Sequence, residues 1–268
     1  MVKTMVLLPV SLLSVVAAFA LPRDRETFTI SSSPAVAAVA ADAAVHLADH
    51  LPAMELRTSL LARGDALVDL VAGVPGSALA LDLDPADLPL GLEAVPIAVR
   101  GLVFVAHPHR HLTDLSGAQV ASLLGGGLTN WAELGGPDTP IRLLLPASVA
   151  ERELVMTDLG LTGEAAVRAT CANDARCASL VAGDPFAIGC MSITAAEAAI
   201  AAGAPLQVLG LDGEQPSGDR MRHGDWPLVH RLSVVSNTAE SGMPARLLDY
   251  LQSEAGLEML QTHGFEPL

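Results

Sequence analysis

Three consecutive serines, Ser31 to Ser33, close the alternating run ETFTISSSP and precede the Ala-rich segment AVAAVAADAAVHLADHL. The alternation predicts a strand and the segment after it a helix, so the hydroxyls fall where one hands over to the other. Backbone N–H groups at a helix start lack intrahelical partners, and together with serine hydroxyls they suit an anion. Simple N-capping by one serine is the competing reading. The HPHRH cluster at residues 107–111 carries metal-ligand chemistry, but it follows a long apolar run and reads better as a polar turn. Asp82 and Asp84, two apart on one strand, would share a face with no neighbouring acid or base to make a catalytic pair. Cys171, Cys177 and Cys190 match no zinc spacing; either Cys171 and Cys177 close a small loop or all three are buried thiols. Without an H-E-x-x-H, G-x-S-x-G or P-loop pattern, neither an enzyme nor a cofactor is expected.

The elements that must position these residues alternate. AMELRTSLL reads as a strand, GDALVDLVAG as a helix and SALALDLD as a strand. VPIAVRGLVFVAHP is a continuous apolar run of the kind buried on both faces. TDLSGAQVASLLGG predicts a helix capped by Thr113 or Ser116 and ended by Gly125 to Gly127. TPIRLLLP, SVAERELVMTDLG, DARCASLVAG and FAIGCMSI continue as strand, helix, helix and strand. Residues 210–227, rich in Gly, Pro and charge, predict a loop. A strand, LVHRLSVVS, and one closing helix, MPARLLDYLQSEAGLEMLQTHG, follow. This order implies an α/β fold with mainly parallel sheets.

A net charge of −15 without a dense Lys/Arg cluster excludes a phosphate-backbone footprint, so no nucleic-acid partner is expected. At the N-terminus, Lys3 precedes an apolar run over residues 5–20 that ends in Ala18-Phe19-Ala20. The run is short for a membrane span and reads as a signal peptide over residues 1–20, cleaved near Ala20, which predicts a periplasmic or otherwise exported protein.

The segment HLTDLSGAQVASLLGGGLTNWAELGGPDTPIRLLLP is similar to the second-lobe segment of phosphate-binding proteins from bacterial ABC importers, with Gly126, Thr129, Asn130, Trp131, Glu133, Leu134, Gly135, Gly136 and Ile141 in step. DPFAIGCMSI, WPLVHRLSVVS and the final LLDYLQSEAGLEMLQTHGFEPL resemble later family segments in order, so the likeness spans the mature chain. The resemblance implies a two-lobed periplasmic-binding-protein-like fold of type 2, each lobe a mainly parallel sheet flanked by helices and joined by a two-strand hinge. Lobe 1 would comprise residues 21–103 and 231–268, and lobe 2 residues 104–230. It also implies a monomer that captures inorganic phosphate or a related oxyanion and hands it to an ABC permease in the membrane. A non-transport sensor or interaction domain of the same fold, with altered or lost anion binding, is the alternative.

Carried over by position, the family's first anion loop falls on Ser32 and Ser33. The second falls on residues 62–66, with Arg63 in place of a hydroxyl donor and Asp65 beside it. Asp82 stands where the family has a carboxylate that can only accept, and so selects an oxyanion that still bears a proton. The third loop falls on residues 148–152; Ser148 and Arg152 are kept, its glycine and threonine are lost, and Glu151 adds negative charge. The expected ligand set is therefore Ser32, Ser33, Arg63, Asp82, Ser148 and Arg152.

Overall fold

The computed structural model describes residues 26–268 except 53, 62, 168 and 241, and the side chain of Arg63 is also outside it. The expected leader and its cleavage point lie outside the described residues. In chain order come β1 (Glu26–Ser32), α1 (Ala37–His50), β2 (Met54–Leu60), α2 (Arg63–Val71), β3 (Gly76–Leu81) and β4 (Leu92–Ala106). Next are β5 (Asp114–Leu115), α3 (Gly117–Leu124), β6 (Arg142–Pro146), α4 (Val149–Asp158), β7 (Ala169–Cys171), α5 (Asp174–Ala182), β8 (Ala187–Ser192) and α6 (Ile193–Ala201). The chain closes with β9 (Gln207–Val208), β10 (Gly210–Leu211), α7 (Gly218–His223), β11 (Val229–Asn237), α8 (Met243–Leu251), α9 (Glu254–Thr262) and β12 (Glu266–Pro267).

The strands run in the order β2-β1-β3-β11-β4-β8-β6-β7. Parallel pairs, β1 with β2 and β3 and β6 with β7 and β8, form the outer parts. Antiparallel pairing is confined to the middle, where β11 joins β3 to β4 and β4 joins β8. The 15-residue β4 belongs to both lobes: up to Gly101 it pairs with β11, and from Leu102 it pairs with β8. Its apolar sequence follows from this, because ten consecutive residues from Ile97 to Ala106 are buried.

Each lobe has its own apolar interior. On one face of the first sheet, Phe28, Ile30, Leu79, Leu232, Leu247 and Phe265 pack beneath α1, α8 and α9. A smaller cluster around Ala66, Leu70 and Val235 seats α2 on the opposite face. The second lobe gathers Val103, Val105, Trp131, Leu145, Ile188 and Met191. Each such aliphatic or aromatic side chain contributes about 1.5–3 kcal/mol by leaving water.

The glycine-rich segment after α3 owes its sequence to a tight 3-10 turn, Trp131–Leu134. Asn130 caps it while Glu133 reaches back to the cap in a capping box, and Gly135 ends it in the left-handed region at φ 78°. Trp131 is buried and its Nε1 donates to Phe186 O at 3.0 Å, which pins the turn to the residue just before β8. Ser116 caps α3, also through a capping box.

Two expectations are corrected. The segment 210–227 is not all loop: Ser217 caps the short helix α7, which Gly224 ends with φ 78°. The closing helix is two helices, because Ser253 leaves α8, accepts from Gly256 N and starts α9. The close approach at this break requires glycine, since a Cβ on Gly256 would lie 2.0 Å from Tyr250 O.

Candidate functional site

Parallel strands β1 and β3 both end at the boundary between the lobes, and the opposite wall is the helix α4. Between them lies a cavity of about 470 Å³. Ser31, Ser32, Ser33, Leu81 and Asp82 line it from the first lobe, and Ala150, Glu153, Leu154 and Thr157 from α4. A cleft beyond the carboxyl ends of parallel strands is where open α/β sheets take ligands. Ser33 precedes the 3-10 turn Pro34–Val36 that leads into α1 and makes no side-chain cap bond. Ser32 is 3% exposed, and its Oγ is buried without a hydrogen-bond partner. Leaving such a group unsatisfied costs about 1–3 kcal/mol, which a polar atom in the cavity would offset.

The expected ligand set is only partly brought together. Ser32, Ser33 and Asp82 share the cavity. Ser148 lines an adjoining cavity on the far side of Pro34 and Ala35, residues common to both, and its Oγ accepts from Glu151 N as the N-cap of α4. Arg152 does not reach the shared cavity; its Nη1 donates to Pro146 O at 2.6 Å and Ala147 O at 2.8 Å, the carbonyls of the turn before α4. Arg63 opens α2, whose Ala66 and Leu67 line the cavity.

Asp82 sits at φ 51°, in the left-handed region. Its Oδ1 accepts from Arg231 N at 2.7 Å and its Oδ2 faces His230 Nδ1 at 2.7 Å. His230 is 2% exposed and its other ring nitrogen lies 3.0 Å from Asp158 Oδ2, at the end of α4. Burial opposes charge on this ring, but the two carboxylates beside it, Asp158 and Asp82, outweigh it and raise its pKa to about 9.

Directly across the strands from His230 is a second cation, Arg100, which lines the adjoining cavity. It pairs with Glu151 Oε1, and its Nη2 lies 3.6 Å from Asp174 Oδ2 at the start of α5. Burial would lower its pKa, yet Glu151 and Asp174 hold the guanidinium charged more firmly than usual. Sequence reasoning missed both cations.

A family model described as a PBP superfamily domain matches residues 17–255. The chain belongs to the PBP superfamily. Among curated PBP relatives, the phosphate-binding protein PstS of Borreliella burgdorferi is 21% identical over 194 residues, 69% of each chain. PstS of Bacillus subtilis is 24% identical over 159 residues, 59% of this chain and 51% of that protein, so the match spans about half of that relative. Among solved structures, an ABC-type phosphate transport receptor from Vibrio cholerae superposes with a TM-score of 0.66 at 20% identity, covering 89% of this chain and 99% of that one. A possible phosphate-binding protein from Planctomyces limnophilus gives 0.73 at 15% identity over 90% and 93%. At these identities the superpositions establish the two-lobed PBP-like fold.

The remaining candidates fall away from the cleft. His107 starts a 3-10 turn over Pro108–Arg110 and its Nδ1 accepts from His109 N. Among the described residues no group of three or more His, Cys, Asp or Glu is placed to hold a metal ion. The three cysteines are free and buried, and burial pushes the Cys190 thiol up to about 12. No described helix is long and apolar enough to cross a membrane.

Proposed function

We propose that this chain is an exported binding protein that captures an oxyanion, phosphate foremost, between its lobes and delivers it to the permease of an ABC importer. The observation that carries the reading is that Ser32, whose Oγ is buried and unpartnered, lines the cavity between β1, β3 and α4. Ser33 adds a hydroxyl not used as a cap, and the first turn of α4 adds partial positive charge from across the cleft. Asp82 is the acceptor that favours an anion bearing a proton, and Arg63 is a further donor. Residues 21–103 with 231–268 form one moving body and residues 104–230 the other, turning about the two crossings of β4 and the segment before β11. The names of the relatives support phosphate as the solute; they are binding and receptor proteins rather than enzymes.

Calorimetric titration of the mature chain with phosphate, sulfate and molybdate tests this. Phosphate is expected to release heat, and Ser32→Ala to weaken it about tenfold, the worth of one hydrogen bond to a charged ligand. Silence with all three anions would remove the oxyanion reading and leave the fold.

A further inference from the structure

The helix α4 presents two different faces. Ala150, Glu153, Leu154 and Thr157 look into the cavity, whereas Glu151, Val155 and Asp158, spaced four and then three apart, lie toward the strands β4 and β11. Val155 is buried at 1% exposure between two carboxylates, and each carboxylate meets a cation of the strand pair: Glu151 meets Arg100, and Asp158 meets His230. Arg100 and His230 are cross-strand partners at the crossing between lobes. His230 has a second carboxylate, Asp82, which belongs to the first lobe at the end of β3.

From this geometry we propose that Asp82, His230 and Asp158 form a protonation-dependent clasp that holds the cleft closed, tying the first lobe to α4 through one imidazolium on the crossing strand. The chemistry of the ring requires the proton. An ionised carboxylate offers only acceptors, so the ring, hydrogen-bonded through Nδ1 to Asp82 and held with Nε2 at ion-pair distance from Asp158, interacts favourably with both carboxylates only when both nitrogens carry protons. Removing one proton leaves a ring lone pair facing a carboxylate oxygen at 2.7 or 3.0 Å, and the contact becomes repulsive.

The charged groups around the ring are few. From β3's end comes Asp82, from α4 Asp158, and from β4 Arg100, which is itself neutralised by Glu151 and Asp174. The neighbouring Arg231 donates its backbone N–H to Asp82 and turns its guanidinium toward Arg222 O. The ring's pKa stands above the ordinary 6.5, at about 9. A raised value means the clasp is complete below about 6.5 and is lost as pH rises through about 9. The clasp does not depend on which solute the cleft takes.

Paired nitroxide labels at Val68→Cys on α2 and Glu164→Cys beyond α4 would report the cleft width; both positions are exposed and the native thiols are buried. Without ligand, the interlabel distance is expected to stay constant from pH 6 to 7, to lengthen reversibly with a midpoint near 9, and to do so without loss of far-ultraviolet circular dichroism. Asp158→Ala, a change at the last residue of α4, whose side chain is 20% exposed, is expected to show the longer distance already at pH 7 and no further transition. A distance that stays constant to pH 10.5, a variant that titrates like the parent, or lengthening that coincides with loss of secondary structure would each overturn the clasp.

Discussion

Arg100→Met keeps most of the side chain's stem and removes its charge, which isolates two carboxylates that line the adjoining cavity. The side chains of Arg100, Glu151 and Asp174 are only 11%, 19% and 19% exposed. An exposed pair would contribute about 0–1 kcal/mol, but breaking a buried pair by deleting one partner costs about 3–5 kcal/mol, because the survivor keeps its charge without compensation. Asp174 retains the backbone N–H of Ser192 at 3.1 Å, so Glu151 carries most of the penalty. The expected loss is therefore at the lower end, about 3 kcal/mol. At roughly 2–4 °C per kcal/mol for a chain of this size, the melting midpoint falls by about 6–12 °C. Urea unfolding of the protein at pH 7 measures it, with Glu151→Gln and the double variant completing the cycle. Since removing both charges also removes the stranded carboxylate, the double variant is expected to regain at least half of the loss. A cost below about 1 kcal/mol, or a double variant as unstable as Arg100→Met, would refute the account of Arg100 as a buried, compensated charge.

Trp131→Phe is expected to destabilise by about 1–3 kcal/mol, because Phe186 O loses its donor inside the second lobe's core and a small void remains; thermal unfolding reads this, and an unchanged midpoint would contradict it. Gly256→Ala is expected to cost about 1–3 kcal/mol, since the methyl group would meet Tyr250 O and Leu251 Cα, backbone atoms that can yield only if α8 and α9 separate. Its counterpart Gly64→Ala, with nothing within 4 Å, is expected to be neutral or to stabilise α2 by up to about 1 kcal/mol. Equal urea midpoints for the two alanine variants would refute the packing argument.

Much of the scaffold was legible from residues that declare themselves locally. The unbroken apolar run of β4, the Ser116 capping box and the Asn130–Glu133 turn depend on neighbours within a few positions. The helix α7 was hidden because six residues carry little periodicity inside a Gly- and Pro-rich segment, and only its serine cap and glycine stop mark it. The division between α8 and α9 was equally easy to miss, since the apolar pattern continues through Ser253.

The cleft was less legible than the scaffold. Ser32 and Ser33, expected at the junction because strand, hydroxyls and helix are consecutive, do line the cavity between the lobes. Arg100 and His230 were not, because each is a lone polar residue inside an apolar run, and the antiparallel pairing of β4 with β11 alone makes them neighbours. One signal did exist: Glu151 and Asp158 lie seven apart on α4 with Val155 between them, a spacing that places two carboxylates on one buried stripe. Arg152 illustrates the opposite failure. A matched position predicted a ligand donor, but the side chain closes back on the carbonyls before its own helix.

The position of β11 between β3 and β4 has a consequence for synthesis. A nascent chain that has reached Leu228 already contains every strand of the second lobe, whereas the first lacks the ribbon that joins its edge to β4. The amino-terminal half therefore stays an unfinished sheet until the carboxyl-terminal segment emerges, and its fold completes only when β11 arrives.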